Sequence, residues 1–377
     1  MKNIFLTTLL ILAVATTNAQ SKSPFLFESG NTSIKFGGHV RLNSYVDFDG
    51  VVANNDFRAA IIPVNGSWMQ MERLNMDISH SRMSVKAIQK TTSLGDIEFY
   101  IETDFRGTGN SLRLRQAYVS FKGFVIGQAW GFMNDFASKA PSIDIQGANS
   151  RTFYRTQLIG YKAKLSDLFS MGISLEMPTV KMDNTSQFVK PEQLVPDLPV
   201  YIQFNPKGGH LRLAAVLRSM RYGNVQNTDF GYVSGFGAQL SGSVKAAEFL
   251  TLYSQATYGK GISKYINDLS LLNMDIVSAR ENSVSALPMY GISAGMMANL
   301  GKNWSASATV STAGFENKED YYSANSYFKG NYFSAGIFWN GVRNMTLASE
   351  YIRGKRYDMS GESGSANRFQ VMLMYKW

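Results

Sequence analysis

From Ile34 to Phe48 apolar and polar residues alternate without a break. Ile34, Phe36, Val40, Leu42, Val46 and Phe48 share one parity, and Lys35, His39, Arg41, Asn43 and Asp47 share the other. A period of two marks a strand with one greasy and one watery face. Soluble strands hold the pattern for about five or six residues, whereas a tilted strand crossing a bilayer needs about 9 to 11. The run predicts a membrane-crossing strand with even positions toward lipid and odd positions toward a polar interior.

Fifteen further runs follow: 72–89, 97–105, 112–120, 124–130, 152–165, 171–177, 200–204, 211–220, 232–240, 248–258, 289–299, 304–315, 327–339, 345–354 and 368–377. Short connections such as Lys122-Gly123 alternate with long ones such as 49–71, 130–151, 178–199 and 259–288. Sixteen is even, so both ends fall on one side, as in single-chain outer-membrane barrels. In the second run polar residues sit on odd positions at Arg73, Asn75 and Asp77 but on even ones at Arg82, Ser84 and Lys86, which predicts a bulge near His80. The expected fold is all-β: a 16-stranded antiparallel transmembrane barrel whose third loop folds inward.

The final run places Phe369, Val371, Leu373, Tyr375 and Trp377 on one face and ends the chain on an aromatic ring. It resembles the C-terminal signal that the barrel assembly machinery reads. Aromatic residues should ring both membrane interfaces, with Phe124, Trp304, Trp339 and Trp377 near short turns and Phe48, Phe105, Tyr222, Tyr232, Tyr258 and Phe315 near long loops.

Composition agrees with this picture. Only 17% of the 377 residues are charged, 13% are aromatic, and there is no Cys, which excludes disulfide scaffolds, thiolate nucleophiles and cysteine-bound metals. The one continuous apolar run, Ile4–Val14, follows Lys2 and precedes Ala15 to Ala19. It reads as a secretory signal of residues 1–19, too short to span as a helix. A short periplasmic segment, 20–33, and a barrel domain, 34–377, should follow.

Sixteen strands enclose a lumen too wide for their own side chains to fill, so water should occupy it. The inward parity of the first six strands carries Arg41, Arg73, Arg82, Lys86, Arg113, Arg115 and Arg155, with Arg151 at a loop exit. Inward carboxylates are Asp47, Asp77, Glu98, Glu102 and Asp104. Two outcomes are open. Neighbouring strands can neutralise one another, as Arg113 or Arg115 with Glu102 or Asp104. Alternatively an excess of cations can form an anion-attracting ladder, as the net charge of +9 suggests. The third long loop carries Asp135, Lys139 and Asp144, and its acids are expected to face basic wall residues across the narrowest point.

The stretch Arg113-Leu114-Arg115-Gln116-Ala117-Tyr118 is followed by Gly127-Gln128-Ala129-Trp130. With Glu102-Thr103-Asp104-Phe105 and Gly38-His39-Val40-Arg41-Leu42, these motifs resemble the DcaP-like porins. The motif resemblance covers about residues 34 to 162 and is architectural beyond. It implies a trimeric sixteen-stranded outer-membrane channel of a Gram-negative bacterium, with an arginine-rich constriction that admits small anionic solutes, dicarboxylates included. Arg41, Arg113, Arg115 and the loop after Trp130 carry over. No heptad lies in 20–33, so the periplasmic helical stalk of some members is not expected. Phosphate- or oligosaccharide-selective porins, a barrel enzyme and a surface adhesin are the competing readings.

Enzyme signals are weak. Gly291-Ile292-Ser293-Ala294-Gly295 matches G-x-S-x-G but sits within a strand pattern, where the required sharp turn into a helix is missing. Ser326-Tyr327-Phe328-Lys329 matches S-x-x-K at the start of a strand run. Three scattered histidines suggest no metal site, no phosphate loop occurs, and the basic charge is not clustered as nucleic-acid binding requires. No cofactor is expected; the partners are outer-membrane lipid, the assembly machinery, sister subunits and solute.

Overall fold

The computed structural model describes residues 25–50, 55–64, 73–182, 188–189, 193–224, 229–278, 284–316 and 324–377. The expected signal, 1–19, lies outside the described residues. Sixteen strands form the wall. They are β1 (Thr32–Phe48), β2 (in two pieces, Arg73–Asp77 and Arg82–Thr91), β3 (Gly95–Asp104), β4 (Arg113–Phe121), β5 (Phe124–Trp130) and β6 (Arg155–Lys164). Then come β7 (Phe169–Glu176), β8 (Leu198–Phe204), β9 (Gly209–Asn224), β10 (Phe230–Ala247) and β11 (Leu250–Lys260). The last five are β12 (Pro288–Gly301), β13 (Trp304–Phe315), β14 (Tyr327–Trp339), β15 (Met345–Asp358) and β16 (Ser363–Lys376). Each strand pairs antiparallel with the next, and β16 pairs with β1 from Lys376↔His39 to Asn367↔Phe48, which closes the cylinder.

The period-two pattern sets the two faces of this wall. On β9, Leu211, Leu213 and Leu217 are exposed to the outside while Arg212, Ala214, Val216 and Arg218 are buried inside. Closure leaves no lateral edge, so every backbone group of the wall finds a neighbour without water, as the hydrocarbon layer demands. The tightest turns have two residues. Lys122 and Gly123 (φ 45° and 89°) and Lys302 and Asn303 (φ 41° and 76°) both take the left-handed conformation that matches strand twist.

The break in β2 falls where parity reverses. His39 pairs with Arg82 and Asn43 with Asp77, so four steps on β1 face five on β2. The extra residue is absorbed in the turn from Ile78 to Ser81, where His80 Nδ1 meets Asp77 Oδ2 at 2.8 Å.

Below the end of β16 the edge of β1 is taken by a short strand, Leu26–Ser29, which pairs with Lys35 to Thr32. The segment expected ahead of the barrel, 20–33, is therefore sheet from Leu26 onward, and β1 begins at Thr32. Trp377 donates its backbone N–H to Gly38 O at 3.2 Å, and its ring lies where a Cβ on Gly38 would come within 2.7 Å. A Gly38→Leu variant should push the terminal ring out of the seam. We expect several-fold less assembled barrel, read as the heat-modifiable band on a gel, with unchanged chain synthesis.

The long loops depart from the water-filled expectation. Ile262, Tyr265, Ile266 and Leu269 of the loop before β12 pack against Met133, Leu287, Phe315 and Tyr327 inside the cylinder. Phe57, Ala59 and Ile62 of the first loop pack on Tyr332 and Ile352. Much of the lumen beside β9 to β15 is thus filled by loop side chains. Phe315, expected in the outer aromatic ring, faces this core and is fully buried, and Tyr222 also turns inward. Trp304, Phe124, Tyr232 and Tyr258 are exposed on the outer face as expected.

Candidate functional site

The third loop, 131–154, crosses the lumen. Its start is clamped by Asp135, whose Oδ2 receives His210 Nε2 of β9 at 2.7 Å and Ser241 Oγ of β10 at 2.6 Å. The same carboxylate caps the 3-10 turn Phe136–Ser138 through Ala137 N at 3.2 Å. Farther along, Ser307 of β13 donates to Pro141 O at 2.6 Å, and Asn149 donates to Gly330 O of β14 at 2.7 Å. Glu350 of β15 takes Ser142 Oγ at 2.8 Å, Asp144 N at 2.9 Å and Gln370 Nε2 at 2.8 Å. Tyr332 donates to Asp144 Oδ2 at 3.2 Å, and Arg41 donates to Ile143 O.

These contacts correct one expectation. Asp135 does meet basic wall residues, His210 and Arg212 of β9, but as a buried anchor rather than across an open passage, and Asp144 is a buried anchor to Tyr332 of β14 and Glu350 of β15. Burial works to raise the Asp135 carboxyl, but the His210 and Ser241 hydrogen bonds and the nearby charges of His210 and Arg212 hold it below the usual range. Asp144 goes the other way, pushed up by burial and by Asp56 despite Arg368 and Arg151.

Between this loop and the walls of β1, β2, β4, β5 and β16 lies a cavity of about 340 Å³. Arg41, Arg82 and Arg115 from the wall and Lys139 and Arg151 from the loop line it, with no carboxylate among the lining residues. Both banks are cationic. Trp130, Phe136 and Phe153 also line it, with His39, Ser142, Ile145 and Met374, and the Phe136 and Phe153 rings pack at 4.6 Å and 4.9 Å from Trp130. Toward the short turns Trp130 is shared with a second cavity of about 530 Å³, lined by β2 to β6 and Phe132. Together they mark a route along β1 to β6, opposite the loop-filled half.

The wall cations divide into two groups. Arg113 holds Asp104 with two bonds at 2.9 Å and 2.6 Å, and Arg115 bridges Glu102 at 2.6 Å and Asp104 at 2.9 Å. Lys86 pairs with Glu98 at 2.5 Å. For these three the neutralising outcome holds. Arg82 stands 3.9 Å from Glu102, while Arg155 stacks over Trp130 at 4.8 Å and Arg151 over Phe153 at 3.8 Å. Arg82 Nε, Arg115 Nη2, Arg151 Nε and Arg155 Nη1 are buried donors without a protein partner. Arg73 is exposed at the loop-side rim, opposite Asp47, and lines neither cavity.

Lys139 is the titratable member of the site. Burial brings its pKa down to about 7, helped by Arg151 and opposed by Asp144 and Glu350. A lysine with a lowered pKa carries its charge below that value and loses it above. Anion preference should therefore weaken as pH rises from about 6 to about 8. Reversal potentials across that range, flat in a Lys139→Gln variant, would check it.

Sequence reasoning missed Glu350, His210, Arg212 and Tyr332, the residues that position the loop. Their signal was available, since each occupies an inward parity of the second half of the barrel. The G-x-S-x-G serine, Ser293, lies within β12 and faces inward, without the strand-to-helix turn a nucleophile would need.

A closed sixteen-stranded barrel with a loop folded across its lumen defines an outer-membrane porin, placed in the outer membrane of a Gram-negative bacterium. The match is more specific than that. The family model described as DcaP outer membrane protein matches residues 4–377, and the chain belongs to that family. The crystal structure of the outer membrane channel DcaP of Acinetobacter baumannii superposes with a TM-score of 0.81 at 18% identity, covering 93% of this chain and 99% of that one. An anion-selective porin from Comamonas acidovorans gives 0.59 at 12% identity over 92% and 100% of the two chains. Salmonella typhi OmpF in complex with daunomycin gives 0.58 at 13% over 93% and 100%. No curated protein sequence matches the chain.

Proposed function

We propose that this porin gives passive, anion-favouring diffusion of small hydrophilic solutes such as dicarboxylates. The observation that carries the reading is the cavity whose described lining holds Arg41, Arg82, Lys139 and Arg151, none in a close ion pair, and no carboxylate. An anion there is attracted by Arg41 and Arg82 on the wall and by Lys139 and Arg151 on the loop, while a small cation meets like charge on both banks. A dicarboxylate can engage wall and loop arginines together, which a monocarboxylate cannot. No step needs a nucleophile or an energy source, so catalysis forms no part of the reading.

Export by residues 1–19 and recognition of Phe369, Val371, Leu373, Tyr375 and Trp377 by the assembly machinery belong to the same reading. A homotrimer is supported by the porin neighbours, one of which is described as a trimer form. The test is solute flux into proteoliposomes with mono- and dicarboxylates, phosphate and neutral sugars of matched size. Dicarboxylates should lead; faster entry of phosphate or sugars would favour the competing porin classes.

A further inference from the structure

On several strands the outward row ends, at the loop side, on an apolar or aromatic residue: Phe48 on β1, Leu74 on β2, Leu112 just before β4, Tyr232 on β10, Tyr258 on β11. The rows of β14 and β15 gather cations beside the aromatic end. Lys329, Asn331 and Phe333 on β14 lie in register with Tyr357, Lys355 and Arg353 on β15. Their neighbours Gly330 and Tyr332 point inward against Ala59 and Phe57, so Lys329 and Asn331 point out. Gly314 on β13 confirms the side, because a Cβ there would meet Lys329 Cβ at 2.8 Å.

Three cations therefore share one outward patch, and none of them forms an ion pair with a carboxylate among the described residues. Lys329 and Lys355 instead flank the Tyr357 ring at 5.1 Å and 4.6 Å. The patch sits just above a group of aromatic rings, with Tyr351 at 6.3 Å from Phe48 and 6.4 Å from Phe333. Lys355 is four residues past Tyr351, roughly 13 Å along the strand, which is the step from an interfacial ring to the headgroup layer. The β15–β16 connection beside the patch, 359–362, is short. Two acids near the patch are already engaged, Glu316 by Tyr258 at 2.7 Å and Asp49 by Asn367 at 3.4 Å.

We infer that the outward face of Lys329, Arg353 and Lys355 is a binding site for the phosphorylated headgroup of a lipid in the external leaflet. Two lysines and an arginine over an aromatic ledge offer a phosphate several charged donors, and the exposed Phe333 and Phe369 below offer its acyl chains an apolar wall. The site lies outside the barrel and is independent of the conduit.

The experiment is native mass spectrometry of the delipidated protein mixed with lipid A or with dephosphorylated lipid A. Wild type should retain lipid A, and a Lys329→Ala, Arg353→Ala, Lys355→Ala variant should lose at least about tenfold in occupancy, with the reversal potential unchanged. Dephosphorylated lipid A should bind wild type as weakly as lipid A binds the variant. Equal retention by both proteins, or of both lipids by wild type, overturns the inference. So does a variant that changes oligomeric state rather than lipid occupancy, which would make the patch a contact between copies. Should the variant fail to assemble, the comparison of the two lipids on wild type decides alone.

Discussion

Replacing Arg41 and Arg82 together by Gln will lower anion permeability about thirtyfold and shift selectivity toward cations. Both line the cavity, neither is locked in a close ion pair, and Gln keeps an amide donor for the Ile143 carbonyl that Arg41 holds. At about 8 Å from a passing ion and an effective dielectric near 40, each charge is worth about 1 kcal/mol. Two make about 2 kcal/mol, hence the factor. The paired arginines give the contrast. Arg113→Ser should change selectivity far less, because Arg113 does not line the cavity. Bilayer recordings under a salt gradient read both, and equal effects at the two sites would show that pairing does not decide which cations act.

Glu350→Ala will at least double single-channel conductance and add current noise. Its carboxylate takes three hydrogen bonds, two of them from the third loop at Ser142 and Asp144. Hydrogen bonds to a charged group contribute about 1.5 to 3 kcal/mol each, so several kcal/mol of anchoring go at once. Freed on the β15 side, the loop carries Lys139 and Arg151 away from Arg41 and Arg82, and selectivity should fall as conductance rises. Glu350→Gln, which keeps the acceptor oxygen, should fall between. A conductance unchanged in the Ala variant would mean that the remaining contacts, such as Asp135 with His210, hold the loop unaided.

The barrel was legible because a membrane wall imposes a period of two on every strand, and even the β2 bulge left its mark as a parity reversal at His80. The side on which Arg82, Arg115 and Lys86 face followed from the same rule. Pairing across strands did not, since register decides whether Arg115 reaches Glu102 and Asp104 or stands free. The loops were the least readable part. Ala59-Ala60-Ile61-Ile62 and Leu269 to Leu272 are apolar, but without periodicity nothing said that they pack inside the cylinder. The role of Asp135 and Asp144 was hidden for a related reason: a carboxylate on an inward loop can face the passage or bind the wall, and only the positions of His210, Ser241 and Glu350 choose.

Cations on both banks of the cavity should make the channel pass chloride faster than potassium. The most direct test is the zero-current potential of the wild-type channel in a planar bilayer under a tenfold KCl gradient at neutral pH. A potential of the sign set by chloride, shrinking as total salt screens the site, is the predicted result. A potential of the sign set by potassium would contradict it.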